Sequence, residues 1–111
     1  MAAYGILVDY EWCSGCRACE VACQMEHNLP ADRYGVAVAQ LGPWQIEGDR
    51  WQHAFVPNFT DECDLCAART EAGKLPSCVH HCQAAVLTYG TVEQLAAQLA
   101  GKPRQLLVRP C

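Results

Sequence analysis

The chain has 111 residues, of which 51% are hydrophobic and 18% are charged, and its formal net charge is −4. This composition is typical of one globular domain, residues 1–111, rather than of a disordered chain. The acidic balance argues against a nucleic-acid partner, because binding to phosphates requires a basic surface. No apolar stretch approaches the roughly 20 residues that cross a bilayer, so we expect no direct membrane insertion.

Residues 4–10, Y-G-I-L-V-D-Y, predict a short strand that leads into a ligand loop. Residues 1–9 have neither the basic n-region nor the long apolar run of a secretory signal. We therefore expect a cytoplasmic protein, made in a compartment that keeps thiols reduced. Export of the folded chain on a signal-bearing partner is the alternative.

The first cysteine motif, residues 13–23, reads C-S-G-C-R-A-C-E-V-A-C and has the spacing C-x2-C-x2-C-x3-C. Bacterial iron–sulfur proteins use this spacing, followed by a proline that is absent here. Residues 20–27 predict a short helix that ends before Pro30. This helix would place Cys23 one turn beyond Cys19, on the same face.

Residues 34–41 and 52–57 are rich in β-forming residues, with the turn-forming sequences G-P-W and E-G-D between them. This pattern predicts a β-hairpin within an insertion of about residues 30–62. Extra surface of this kind serves either docking or packing. Trp44 and Trp51 flank the predicted turn and favour an interface anchor.

The second cysteine motif consists of C-D-L-C at residues 63–66 and C-V-H-H-C at residues 78–82, with eleven residues between them. Residues 67–72 predict one or two helical turns that end at Gly73. The two histidines of the C-V-H-H-C segment are interpreted as loop surface. Their alternative role is to donate hydrogen bonds to cluster sulfurs.

The C-terminal part contains a predicted strand, residues 84–89, that pairs near the first strand and ends at Gly90. Residues 91–100 predict the clearest helix, with Thr91 as its N-cap in a capping box. The tail, residues 104–111, is extended and apolar. It either returns to the sheet or lies on a partner.

The cysteines provide the strongest constraint on the chemistry. Eight of the nine fall into two groups of four, which matches the thiolates that two [4Fe–4S] clusters need. One loop with two-residue gaps supplies three ligands, and the fourth comes from the other motif. The predicted ligands are Cys13, Cys16, Cys19 and Cys82 for cluster 1, and Cys63, Cys66, Cys78 and Cys23 for cluster 2. Since each cluster joins both motifs, folding is expected to depend on the clusters.

Zinc is the main alternative for these cysteines. Structural zinc sites use C-x2-C pairs separated by a dozen or more residues, and the second motif alone would fit such a site. The first motif packs its thiols too tightly for good zinc geometry. Disulfides are disfavoured by a reducing compartment. Cys111 remains outside both groups, either as a free terminal thiol or as a residue that reaches a partner.

Residues 4–23, 44–58 and 63–78 together resemble the ferredoxin-type iron–sulfur subunits of the dimethyl sulfoxide reductase and polysulfide reductase group. The gap that ends in G-K-L-P-S-C is the most specific part. Two features depart from that group: the chain lacks the middle cysteines that hold two further clusters there, and Gln24 and Gln83 replace the expected prolines.

The resemblance implies a subunit that passes single electrons between a large catalytic subunit and a further electron carrier. The catalytic subunit would be a molybdenum or tungsten pterin enzyme and would hold the substrate chemistry. The chain itself shows no Ser–His–Asp arrangement, paired carboxylates or glycine-rich phosphate loop, so we expect it not to be catalytic alone.

The predicted fold is therefore α+β: a ferredoxin-like two-cluster domain with an inserted β-hairpin and a C-terminal helix and tail at about residues 91–111. The alternatives to an electron-transfer subunit are a diffusible dicluster ferredoxin, an accessory protein for maturation and a zinc-stapled binding module.

Overall fold

The computed structural model describes residues 3–110. A three-stranded antiparallel sheet with the order β4-β1-β5 and a separate β2–β3 hairpin are joined by short helices. The fold is therefore α+β, as predicted. The elements are β1 (Tyr4–Asp9), α1 (Ala18–His27), β2 (Val36–Glu47), β3 (Arg50–Phe59), α2 (Ala67–Glu71), α3 (Ser77–His81), β4 (Leu87–Thr91), α4 (Val92–Leu99) and β5 (Gln105–Val108).

Strand β1 lies at the centre of the sheet and is buried on both faces. Ile6 and Val8 are each 0% exposed and belong to the same apolar cluster as the cysteine side chains. Leu7 is also buried and lies on the other face, because successive side chains of a strand alternate. Helix α4 packs against all three strands of the sheet, and its Leu95 is buried. The sheet thus connects the helix to the cysteine-containing core.

Helix α1 confirms the predicted helix after the first ligand loop. It ends at His27, and Asn28 closes it in the left-handed conformation with φ 53°. Cys19 and Cys23 are both buried, as expected for residues one turn apart on an inward face. The helix packs against α3, so the two cysteine motifs are held side by side.

The β2–β3 hairpin is longer than predicted, and its turn lies at Gly48-Asp49. The prediction of a turn at Gly42-Pro43 was wrong, because both residues lie inside β2. A register shift between Leu41 and Trp44 marks an irregularity there. Such a bulge absorbs a residue without a backbone N–H and lets the strand continue.

The two ends of the hairpin have different surroundings. At its base, Val36 and Val56 are buried in the core. At its tip, apolar side chains are exposed to between 43% and 60%: Leu41, Trp44, Ile46 and Trp51. The base therefore serves packing, and the tip leaves an apolar surface, which we call the hairpin tip.

The C-terminal elements largely confirm the predictions. The backbone N–H of Gln94 donates to Thr91 Oγ1 at 3.3 Å, and the N–H of Thr91 donates to Gln94 Oε1 at 3.4 Å, which forms the predicted capping box. The tail returns to the sheet, since β5 pairs with β1. Gly90 does not end its strand but pairs with Gly5 inside it.

Two further points concern the helices. The short helix α2 was predicted, whereas α3, which follows Pro76, was not. None of the helices described between residues 3 and 110 has the length and apolar character needed to span a bilayer. Cys111 lies outside the described residues.

Candidate metal centre

The first ligand loop runs from Cys13 to the start of α1 and is covered by the hairpin. Gly15 has φ +76°, and a Cβ atom on it would lie 2.7 Å from the ring of Phe55. Only glycine therefore combines this backbone conformation with this close contact. The loop places Cys16 at the surface and leaves Cys13 partly buried.

The second ligand loop is shaped by consecutive left-handed residues. Leu65 and Cys66 have φ values of 59° and 52°, which are uncommon for residues with a Cβ atom. Asp64 Oδ1 accepts a hydrogen bond from the backbone N–H of Cys66 at 2.9 Å and stabilises this turn. Strained backbone of this kind is characteristic of functional loops.

The structure brings the thiols together in two sets that each include both motifs. Burial raises the pKa of the Cys13 thiol, and the nearby thiols of Cys82 and Cys16 raise it further. The pKa of the Cys19 thiol is raised by burial and then by the thiols of Cys13 and Cys82. Cys82 therefore lies with the first ligand loop. We call this set the first thiol group: Cys13, Cys16, Cys19 and Cys82.

The remaining cysteines lie around the second loop. The pKa of the Cys23 thiol is raised by burial and then by the thiol of Cys66. The pKa of the Cys78 thiol is raised by burial and, to a smaller extent, by the thiols of Cys66, Cys63, Cys19 and Cys23. We call this set the second thiol group: Cys23, Cys63, Cys66 and Cys78. The interaction of Cys78 with Cys19 shows that the two groups lie close to one another.

These thiols are suited to hold a metal rather than to remain unligated. Burial raises the pKa of the thiols at five positions: Cys13, Cys19, Cys23, Cys66 and Cys78. The pKa of Cys19 reaches about 12. A buried thiolate needs a cation to replace its proton, and iron would supply that positive charge. The residues present therefore fit iron–sulfur groups in their number, type and burial.

Backbone N–H groups surround the sulfurs of the second thiol group. The N–H of Leu65 donates to Cys63 Sγ and that of Ser77 to Cys66 Sγ, both at 3.4 Å. The N–H groups of Gly35 and Val36 lower the pKa of Cys23, against the larger effect of burial. The first group has comparable donors, from Gly15 to Cys13 and from Glu20 to Cys19.

One side chain also contacts a sulfur of the second thiol group. His27 Nε2 lies 3.3 Å from Cys66 Sγ and 3.7 Å from Asp64 Oδ1. Three side chains in residues 3–110 have potential metal-binding atoms that all lie within 4.8 Å of one another: His27, Asp64 and Cys66. The sequence pattern predicts His27 only as the last residue of the short helix over residues 20–27. Its spacing of four residues from Cys23 was the available signal, because residues i and i+4 share a helix face.

The other residues singled out from the sequence have structural contacts. His81 Nδ1 lies 2.8 Å from the carbonyl oxygen of Ser77 and donates to it, whereas His80 is exposed. Gln24 Nε2 donates to the backbone oxygens that follow α1, with its shortest distance, 3.0 Å, to Arg33. Gln24 thus stabilises the segment after the helix in a way that proline, which has no donor, cannot.

Comparison with known proteins gives relatives but no matching family model. The chain is 32% identical to hydrogenase-2 operon protein HybA of Escherichia coli O157:H7, over 86% of this chain and 25% of HybA. It is 30% identical to protein NrfC of Escherichia coli K12, over 94% of this chain and 37% of NrfC. It is 28% identical to the probable anaerobic dimethyl sulfoxide reductase chain YnfG of the same strain, over 95% of this chain and 43% of YnfG.

The chain spans less than half the length of each of these relatives. The similarity nevertheless covers between 86% and 95% of this chain. It agrees with the resemblance carried by the spacing of the motifs. The chain is therefore a relative of HybA, NrfC and YnfG, and it resembles the ferredoxin-type iron–sulfur electron-transfer subunits of the dimethyl sulfoxide reductase and polysulfide reductase group.

Proposed function

We propose that this chain carries single electrons through two [4Fe–4S] clusters to or from a larger catalytic oxidoreductase subunit. The convergence of thiols from both cysteine motifs into two groups of four is the observation that carries the proposal. The ligands would be the first thiol group for one cluster and the second thiol group for the other. Such clusters supply one-electron redox chemistry at potentials set by their surroundings.

The residues around the thiols would hold the clusters and keep water away from them. Cys19, Cys23 and Cys78 belong to the same apolar cluster as Ile6 and Val8. Because a cluster in each group would join both motifs, ligation would also tie α1 to α3. Loss of the clusters is therefore expected to loosen the whole domain.

The substrate chemistry would reside in the catalytic partner, and the chain would not be catalytic alone. A molybdenum or tungsten pterin enzyme is the proposed partner, together with a further electron carrier. The name of YnfG, a probable anaerobic dimethyl sulfoxide reductase chain, supports this class. The name of HybA, a hydrogenase-2 operon protein, makes a hydrogenase the alternative class of partner.

The hairpin tip supports binding to another protein. Trp44 and Trp51 are 52% and 60% exposed, and both line a cleft of about 610 Å3 that also involves Leu106. Exposed aromatic side chains that cluster in this way are characteristic of protein interfaces. A diffusible ferredoxin has no need of such a surface. We further propose that the chain is loaded with iron in the cytoplasm, because ligation needs reduced thiols.

An anaerobic pull-down of the chain from its own cells, followed by metal analysis, tests the proposal. We expect about eight iron atoms on the chain and a large subunit that contains molybdenum or tungsten. Exchange of Trp44 and Trp51 for serine should release this subunit but keep the iron. The matched control is Trp12→Ser, at a residue that is 64% exposed and lies outside the hairpin.

Other results would contradict parts of the proposal. Iron without a partner would indicate a diffusible ferredoxin. A hydrogenase as the partner would overturn the molybdenum or tungsten assignment alone. Zinc without iron would contradict the electron-transfer function itself.

A further inference from the structure

The imidazole of His27 reaches a sulfur of the second thiol group. Its Nε2 atom lies 3.3 Å from Cys66 Sγ, and the side chain is only 24% exposed. A cysteine that ligates a metal is a thiolate, so its sulfur has no proton and only accepts hydrogen bonds. With Cys66 ligated, the hydrogen must therefore lie on Nε2 of His27.

The position of His27 is set by packing rather than by chance contact. It is the last residue of α1, four residues after Cys23, and so lies on the same helix face as that ligand. Because α1 packs against α3, the imidazole is held over the second ligand loop. Cys66 Sγ also accepts the N–H of Ser77 at 3.4 Å, so two donors converge on one sulfur.

We propose that His27 is a positioning residue whose hydrogen bond to Cys66 raises the potential of the iron–sulfur site at the second thiol group. This site would then be the more readily reduced of the two. This inference rests on the proposed function. Reduction adds one electron and increases the negative charge on the ligand sulfurs. An N–H donor stabilises this added charge more than it stabilises the oxidised state, and the potential rises. The His27 proton stays on Nε2 throughout, so no proton transfer is required.

A buried carboxylate has the opposite effect at the first thiol group. The side chain of Glu20 is only 7% exposed and follows Cys19 in the chain. Burial is the largest cause of the raised pKa of Cys19; the backbone N–H of Glu20 lowers this pKa, and the carboxylate of Glu20 raises it by a smaller amount. Its one cationic partner in the described chain, Arg17, is 3.2 Å away and 52% exposed. A fixed negative charge beside a ligand opposes the addition of an electron.

Carboxylates also lie near the second thiol group, but water and a cation weaken their opposition to the addition of an electron. The side chain of Asp64 is 58% exposed. That of Glu26 is 35% exposed and forms an ion pair with Arg69 at 3.4 Å. Exposed charges are screened far more than buried ones. The direct hydrogen bond from His27 is therefore expected to outweigh them.

The test measures the potential of each site in the iron-loaded full chain, by redox titration followed with electron paramagnetic resonance. The Cys66→Ser variant identifies which signal belongs to the second thiol group. In the unmodified protein this signal should be the first to form on reduction. His27→Phe should lower the reduction potential of this site by at least 59 mV, which for one electron corresponds to a tenfold change in the reduction equilibrium. The other signal should not move.

Two further variants sharpen the result. His27→Gln keeps a shorter N–H donor and should give an intermediate potential. His53→Phe is the matched control at an exposed histidine of the hairpin, and it should leave both potentials unchanged. Should His27→Phe lose its iron, the His27→Gln value decides.

Several results would overturn the inference. These are an unchanged potential in a fully loaded His27 variant, an equal shift of both sites, earlier reduction of the first thiol group, and loss of iron from both His27 variants. An unmodified protein that binds no iron would instead overturn the proposed function. The two failures are therefore distinguishable.

Discussion

Gly35 lies directly against the sulfur of Cys23. A Cβ atom on Gly35 would be 2.5 Å from Cys23 Sγ, closer than real Cβ atoms approach any heavy atom. The backbone N–H groups of Gly35 and Val36 also donate to this sulfur and lower the pKa of the thiol, against the larger effect of burial. The start of the hairpin is thereby part of the surroundings of a ligand that lies in α1.

The Gly35→Ala variant tests this contact. The added methyl group must displace either Cys23 or the hairpin backbone, so we expect the loss of roughly half of the bound iron, from the second thiol group. Gly90→Ala is the matched control, because its Cβ would make only ordinary van der Waals contacts, at 3.4 Å from Gln94 Oε1 and 3.5 Å from the side chain of Leu95. Iron analysis with electron paramagnetic resonance is the measurement, and full iron content in Gly35→Ala would contradict the role of the contact.

The sharing of ligands between the motifs is tested by Cys23→Ala. Although Cys23 belongs to the first motif, burial and then Cys66 raise its pKa, so its loss should disturb the second site. We expect roughly half of the iron to be lost or converted to another cluster type. Cys16→Ala is the counterpart, and it should disturb the first site. Damage confined to the first site in Cys23→Ala would exclude the crossed ligand sets.

The pH dependence of loading follows from the raised pKa of the buried thiols. Burial raises the pKa of Cys19 to about 12, so at neutral pH this thiol is protonated and must release its proton to bind iron. Metal affinity should therefore increase as the pH rises from about 7 towards 9, with protons released on binding. The measurement is iron–sulfide reconstitution followed by absorbance. Uptake that is independent of pH would contradict a requirement for thiol deprotonation.

The capping box of α4 is expected to contribute to stability without touching the metal centre. Thr91→Ala removes the acceptor of the Gln94 N–H and should lower the free energy of unfolding by about 1 kcal/mol. Thr88→Ala, at an exposed position of β4, is the control and should change it by less. Denaturant unfolding of the iron-loaded protein measures both. Equal effects of the two substitutions would mean that the cap contributes nothing.

Local features could be predicted where they depend on residues close in sequence. The cap at Thr91 and the end of α1 before Pro30 both follow from residue type within one helical turn. Predictions based on single turn-forming residues were wrong where the residues instead form part of a paired strand. Gly90 and the Gly42-Pro43 pair lie inside strands because a neighbouring strand supplies hydrogen bonds and tolerates a bulge.

The same distinction between local pattern and tertiary packing applies to the candidate site. The spacing of the cysteines predicts which residues are ligands, because short gaps limit how a loop can wrap around a metal group. The contacts of His27 with Cys66 and of Gly35 with Cys23 join segments that are distant in sequence. No local pattern encodes such distances. They arise because α1, α3 and the hairpin pack around the two thiol groups, and this packing assigns a role to residues that look ordinary in the chain.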